Sequence, residues 1–353
     1  MTGPIASKTT TPAVRRLHLN ESPLPPAPGV VAAIAAAAAR VNRYPEPDCP
    51  LLLGALSDYT GVSADRIVVT SGSNELLHLL PLISDAHGAE MVVPDPSFPT
   101  YRKVAGFFDI TVHGVPVMAD GRPDVDALLA AVTPGCRMVC VPSPNNPTGG
   151  LLSADEIERL VAGVPETMLL HFDEAYYEFG RQAGGVEALP ILEKRKGPWM
   201  TSRSFSKAFG LAGLRLGYTI ASSADLARRA RGLRPNFSVN ALAVAAGVAA
   251  LAAPEHMRAT VAQVAAERER LSDGLRAAGL APFPSAANFV AFPVPEGDGD
   301  LAARLTAQGI LTTAFQIPGQ LGGQVAAVRI TVGTREDTDA VFEALAACRG
   351  SER

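Results

Sequence analysis

Lysine is scarce in this chain. Of its 31 lysines and arginines only 5 are lysine, and past Lys196 the one remaining lysine is Lys207. Arginine stays protonated at any working pH, so few positions can offer a free amine. Cysteine is also rare: Cys49, Cys136, Cys140 and Cys348 show neither metal-ligand spacing nor the pattern of a disulfide framework. Cys136 and Cys140 flank an apolar stretch and are expected as buried thiols, and no metal site is expected. Charge is sparse as well. With 19% charged residues and a net charge of −4, the chain has no electrostatic case for binding nucleic acid or an anionic membrane. Long apolar runs are missing: the longest, residues 241–253, stops at Pro254, short of the roughly 20 residues of a membrane span. The polar first eleven residues lack a signal-peptide core, and the expected location is the cytoplasm.

What the chain does have is enough apolar content, 47% of 353 residues, for one large domain and a smaller one. Residues 1–45 read as an arm with an Ala-rich helix over 30–40, tied to the smaller domain or a dimer contact. Residues 46–240 alternate short apolar runs with helical patterns. Strands are expected at 66–70, 90–93, 137–141, 168–172, 199–202 and 215–220, with helices at 74–80 and 153–161. The second helix opens on a capping box, Ser153-Ala154-Asp155-Glu156. This α/β alternation predicts a mainly parallel sheet covered on both faces. Residues 241–353 read as a smaller α+β domain: a long helix through Arg276, strands at 288–292 and 328–332, and a closing helix over 337–347.

Open α/β sheets bind ligands off the carboxyl ends of their strands, and four chemically telling segments fall there. Ser71-Gly72-Ser73-Asn74-Glu75 joins a strand to a helix and offers Ser73 and Asn74 as an anion cradle, or as ordinary helix caps. Ser143-Pro144-Asn145-Asn146-Pro147-Thr148-Gly149-Gly150 holds the Asn146 amide in a loop stiffened by proline, or is a plain Pro-Gly turn. Asp173-Glu174-Ala175-Tyr176 ends a buried strand in a carboxylate, which needs a partner or a helix to cap. His171 alternates to the other side of that strand and is expected in the core. Finally, Ser204-Phe205-Ser206-Lys207 places an amine among hydroxyls, with Arg215 a short loop away as a fork for phosphate. An imine-forming lysine, a carboxylate for a pyridine nitrogen, donors for a ring oxygen and a phosphate cradle together suit pyridoxal 5′-phosphate (PLP).

With these motifs in this order, the sequence resembles the fold-type I PLP-dependent aminotransferases, and among them the histidinol-phosphate aminotransferase group. The likeness runs from Leu19-Asn20-Glu21-Ser22-Pro23 through Asn42-Arg43-Tyr44-Pro45 to Val328-Arg329-Ile330-Thr331-Val332-Gly333. It implies that Lys207 carries the cofactor and shuttles a proton, that Asp173 pairs with the ring nitrogen, and that Asn146 and Tyr176 bond the ring oxygen. Ser73, Asn74, Ser204, Ser206 and Arg215 would bind the phosphate, and Phe98 would stack on the ring. Tyr44 would reach the partner's phosphate in a homodimer. Arg329 would clamp a substrate carboxylate, and Asn20 would also face substrate. The implied reaction moves an amino group from an amino acid, or a histidinol phosphate-like donor, to a 2-oxo acid such as 2-oxoglutarate. Other reactions on the same scaffold are an aromatic amino-acid transamination, decarboxylation of a phosphorylated amino acid, or an oxidase or cyclase step. One departure bears on the donor: histidinol-phosphate enzymes commonly carry an arginine where this chain has Thr313.

Overall fold

The computed structural model describes residues 14–318 and 323–350. Among the described residues the strands are β1 (Arg15–Arg16), β2 (Ile67–Thr70), β3 (Glu90–Asp95), β4 (Thr111–Pro116), β5 (Cys136–Pro142), β6 (Leu169–Asp173), β7 (Trp199–Ser204), β8 (Gly217–Ala221), β9 (Phe289–Pro293), β10 (Ile310–Leu311), β11 (Thr313–Pro318) and β12 (Gln324–Thr331). Seven of them form one sheet in the order β2-β8-β7-β6-β5-β3-β4. Only β8 runs against its neighbours, pairing antiparallel with both β2 and β7. The central strands are buried along almost their whole length, β6 and β7 at every residue, as continuous apolar or hydrogen-bonded runs between two helical layers require. Their side chains enter two hydrophobic clusters, one on each face.

A smaller antiparallel sheet has the order β11-β12-β9, and β1 pairs in parallel with β10. The leading segment thereby joins the C-terminal part of the chain: Leu17 O accepts from Thr331 N at 2.8 Å.

The expected strands are present, with three differences that have physical causes. The strand expected at 215 begins only at Gly217, because Arg215 is left-handed with φ of 55°. The long helix from 241 is two helices, Ala241–Leu251 and Pro254–Ala277, since Pro254 lacks the N–H to continue a helix but suits a first turn. Strands β4, β11 and the two-residue pair β1 and β10 were not foreseen; β4 is an edge strand carrying Gly114 and Pro116, and β11 alternates half-exposed residues. The capping box forms as expected, Ser153 Oγ accepting from Glu156 N and Glu156 Oε2 from Ser153 N. All four cysteines are buried, and none is in a disulfide. No helix among the described residues is long and apolar enough to cross a membrane. The first thirteen residues of the expected arm lie outside the described ones.

Candidate active site

Register brings the four segments to one place. Thr70 and Ser204 are both paired with Gly217, Ser202 with Asp173, and Asp173 with Pro142. The loops that leave β2, β5, β6 and β7 therefore open together. Because β8 is antiparallel, its starting end lies there too, so Arg215 precedes it into the same cleft. The cleft encloses about 410 Å³ and is lined by Ser73, Asn74, Phe98, Asn146, Asp173, Tyr176, Ser204, Ser206, Lys207, Arg215, Arg329 and Asn20. Of the residues singled out from sequence, only Tyr44 is elsewhere: it is 81% exposed and stacks on Phe237 at 4.6 Å.

One end of the cleft is built for an anion. Helix Ser73–Ile83 starts there with Gly72 as its cap and no side-chain capping bond, so its first N–H groups and the Ser73 hydroxyl face the cleft, as at other anion-binding helix starts. Neither Ser73 nor Asn74 is the cap, and Asn74 Oδ1 is buried with no hydrogen-bond partner. Gly72, at φ of 75°, lets Arg215 lie against the backbone; a Cβ there would sit 2.6 Å from Arg215 Nη2. Arg215 Nη1 also donates to Ala212 O at 2.9 Å.

At the floor, Asp173 Oδ2 accepts from the Tyr101 phenol at 2.8 Å, and Oδ1 accepts from Ser202 Oγ at 2.9 Å and Ala175 N at 3.1 Å. Ser202 spends its proton on Asp173, so its oxygen accepts from His171 Nε2 at 3.1 Å. Burial depresses the His171 pKa to about 4, against the opposing pull of Asp173, so His171 is a neutral buried residue as expected, but it shares the face of Asp173, two residues on along the strand, and is not on the other side. Tyr101 and Ser202 were not singled out from sequence. Their signal is spacing: Ser202 is two residues before Ser204 on β7, hence on the same face, and Tyr101 lies one helical turn beyond Phe98.

At the opposite end, Arg329 donates through Nη1 to Asn146 Oδ1 and through Nη2 to His18 O at 2.7 Å and Thr313 Oγ1 at 3.0 Å. Its Nε is buried without a partner. The bond to Oδ1 turns the Asn146 amide nitrogen the other way, where it can donate. Lys207 Nζ donates to Leu19 O at 3.0 Å. Burial, reinforced by the Arg329 and Arg215 guanidiniums and opposed by Glu21, lowers its pKa from 10.5 to about 8. Asn20 departs from expectation. It is 2% exposed, and its amide is committed to Tyr176 and Thr331 rather than open to a substrate.

A buried carboxylate at the strand ends, a depressed lysine and a helix-terminus anion cradle define an enzyme of the PLP-dependent class. The comparisons agree. The model of the "Aminotransferase class I and II" family matches residues 14–345, and the chain belongs to that family. It is 40% identical to an aromatic amino acid aminotransferase of Rhodococcus opacus (strain B4) over 93% of this chain and 88% of the relative. It is 35% identical to a histidinol-phosphate aminotransferase 2 of Caulobacter vibrioides over 97% of this chain and 88% of the relative. Its structure superposes on a histidinol-phosphate aminotransferase from Sinorhizobium meliloti in complex with pyridoxal-5′-phosphate with a TM-score of 0.87 and 30% identity, covering 97% and 92% of the two chains. The protein is a PLP-dependent aminotransferase, and its residues fit that cofactor. The uncapped helix start at Ser73 and the close approach of Arg215 to the backbone at Gly72 suit the phosphate end, Asp173 suits a protonated ring nitrogen, and Lys207 offers an amine with a lowered pKa.

Proposed function

We propose that this aminotransferase takes the amino group from an aromatic amino acid and passes it to a 2-oxo acid such as 2-oxoglutarate. The observation that carries the choice of donor is Thr313. It lies directly across β11 and β12 from Arg329 and accepts a hydrogen bond from it, so where the histidinol-phosphate group commonly adds a second guanidinium there is a neutral hydroxyl. Away from the phosphate cradle, Arg329 is then the single arginine among the lining residues, enough for one carboxylate, while Phe98, Leu77 and Leu19 give apolar wall. The likeness to the Rhodococcus enzyme supports the same reading. A kinetic comparison decides it. Phenylalanine or tyrosine is expected to outpace histidinol phosphate as donor in kcat/KM, and the reverse order would sink the proposal. Thr313→Arg is expected to shift the ratio toward the phosphate donor by about tenfold or more, the worth of one charge-assisted bond.

PLP, when bound, delocalises the electron pair left at the substrate α-carbon. The rest falls to the chain. Lys207 binds the cofactor covalently and, once displaced, moves the proton from the α-carbon. Asp173 keeps the ring nitrogen protonated. Asn146 and Tyr176 orient the ring oxygen, and Phe98 covers a ring face. Ser73, Asn74, Ser204, Ser206 and Arg215 hold the phosphate. Arg329 holds the α-carboxylate. Tyr44, exposed and far from its own cleft, is read as completing the partner's phosphate site in a homodimer. The chain is read as a cytoplasmic enzyme with a cofactor domain at residues 46–240 and a smaller domain from 1–45 and 241–353.

Only the neutral amine of Lys207 attacks an aldehyde. Below its pKa of about 8, the rate at which cofactor-free protein takes up PLP is expected to rise about tenfold per pH unit, then level off above it. Stopped-flow absorbance reads this directly; a rate still climbing steeply at pH 10 would mean an ordinary, unperturbed lysine.

A further inference from the structure

Asn20 joins three parts of the fold where they meet at the cleft. Its backbone N–H donates to Thr331 Oγ1 at 2.9 Å, and Thr331 Oγ1 donates in turn to Asn20 Oδ1 at 3.1 Å. Asn288 Nδ2 donates to the Asn20 carbonyl at 3.0 Å. The residue is left-handed, with φ of 54°, a conformation asparagine adopts more readily than other side chains bearing a Cβ. These bonds fix which end of the amide faces which way. A backbone N–H can only donate, so the Thr331 oxygen accepts it and sends its own proton on to Oδ1. The amide nitrogen is left facing the Tyr176 phenol, to which it donates at 2.8 Å.

The hydrogen bonds thus run one way, from the backbone of residue 20 through Thr331 and the amide to Tyr176. A phenol that receives a bond on its oxygen must place its own proton elsewhere. Tyr176 is 4% exposed, packs edge-on against Phe289 at 5.3 Å and lines the cleft. The cleft side is therefore where that proton goes.

We propose that Asn20 is a positioning residue which, with Thr331, directs the Tyr176 proton onto the cofactor's ring oxygen. This rests on Tyr176 meeting that oxygen, as read above. Asn20→Asp reverses the direction, because a carboxylate has no proton to donate and instead accepts from the phenol. The ring oxygen then loses its donor, and the protonated form of the bound cofactor becomes favoured to higher pH.

The experiment is a pH titration of the visible absorbance of the PLP-loaded protein, in Asn20→Asp, Thr331→Val, Thr331→Ser, Tyr176→Phe and the Asn20→Asp/Tyr176→Phe double variant. Asn20→Asp and Tyr176→Phe are each expected to raise the midpoint by about one pH unit, a tenfold change in the equilibrium. The double variant should move no further than Tyr176→Phe alone, as for residues acting through one bond. Thr331→Val is expected to shift the midpoint the same way, and Thr331→Ser, which keeps the hydroxyl, to leave it in place. The proposal is overturned if Asn20→Asp titrates like wild type, or if its shift persists in the Tyr176→Phe background, which would mark a bare charge effect. Should Asn20→Asp fail to load cofactor, the threonine pair decides, and equal midpoints for valine and serine overturn it. A Tyr176→Phe variant that shifts nothing would instead remove the ring-oxygen contact on which the proposal rests.

Discussion

Lys207→Ala is expected to lower turnover by about four orders of magnitude, the upper range for a lost proton-transfer group, while the protein stays folded. The protein partner of its Nζ is one carbonyl, that of Leu19. Removing the side chain strands no buried countercharge, and it relieves repulsion from Arg329 and Arg215, the same repulsion that helps depress its pKa. The melting temperature of the cofactor-free protein is therefore expected to hold or rise. Loss of the amine also removes the covalent anchor, leaving PLP held only by non-covalent contacts with the phosphate cradle, Asp173, Asn146, Tyr176 and Phe98. A small primary amine in the buffer should restore part of the rate by replacing the missing base. Turnover at the wild-type rate in the alanine variant would end the assignment.

Asp173→Asn is expected to be the second most damaging change, costing about 10²–10³-fold in kcat, as when other preorganised electrostatic groups are removed. The carboxylate is held by Tyr101, Ser202 and the Ala175 N–H, so an amide in its place must turn an NH₂ toward a hydroxyl or toward the ring nitrogen. The first disturbs the floor. The second replaces a charge-assisted acceptor by a donor opposite a protonated nitrogen. Truncating one side of such a buried charge pair costs about 2–5 kcal/mol of binding, so the PLP dissociation constant measured by equilibrium dialysis should rise by at least about 30-fold. An unchanged dissociation constant would show that Asp173 does not meet the ring.

The legible parts of this site are those that follow a strand within a few residues. Asp173, Ser73, Asn146 and Lys207 each stand just past an apolar run, and sheet order alone gathers them. Their supports were less visible. Tyr101 reaches Asp173 across 72 residues and Thr331 reaches Asn20 across 311, and no local pattern encodes a partner at such separation. Asn20 itself was read as facing substrate because its motif lies among the site's motifs; the bonds that hold its amide come from Tyr176, just past β6, and from Thr331 on β12. The short pair β1 and β10, two residues each, has too little length for any period to register. Thr313 was legible as a departure, and its register opposite Arg329 supplied the geometry.

The wall of the cleft formed by His18 and Leu19 has a consequence for how the enzyme is made. Their carbonyls are bonded by Lys207 and Arg329, while Leu17 and Asn20 are tied to Thr331. On the ribosome this segment waits for a partner 311 residues further along the chain. The seven-stranded sheet can be complete by Ala221, with Lys207 already translated, yet the fourth side of the active site closes only after β12 has left the exit tunnel. Contacts of that span are slow to form. Chains cut short before β12 would thus expose an open-faced PLP groove, and competence for catalysis would wait for that strand.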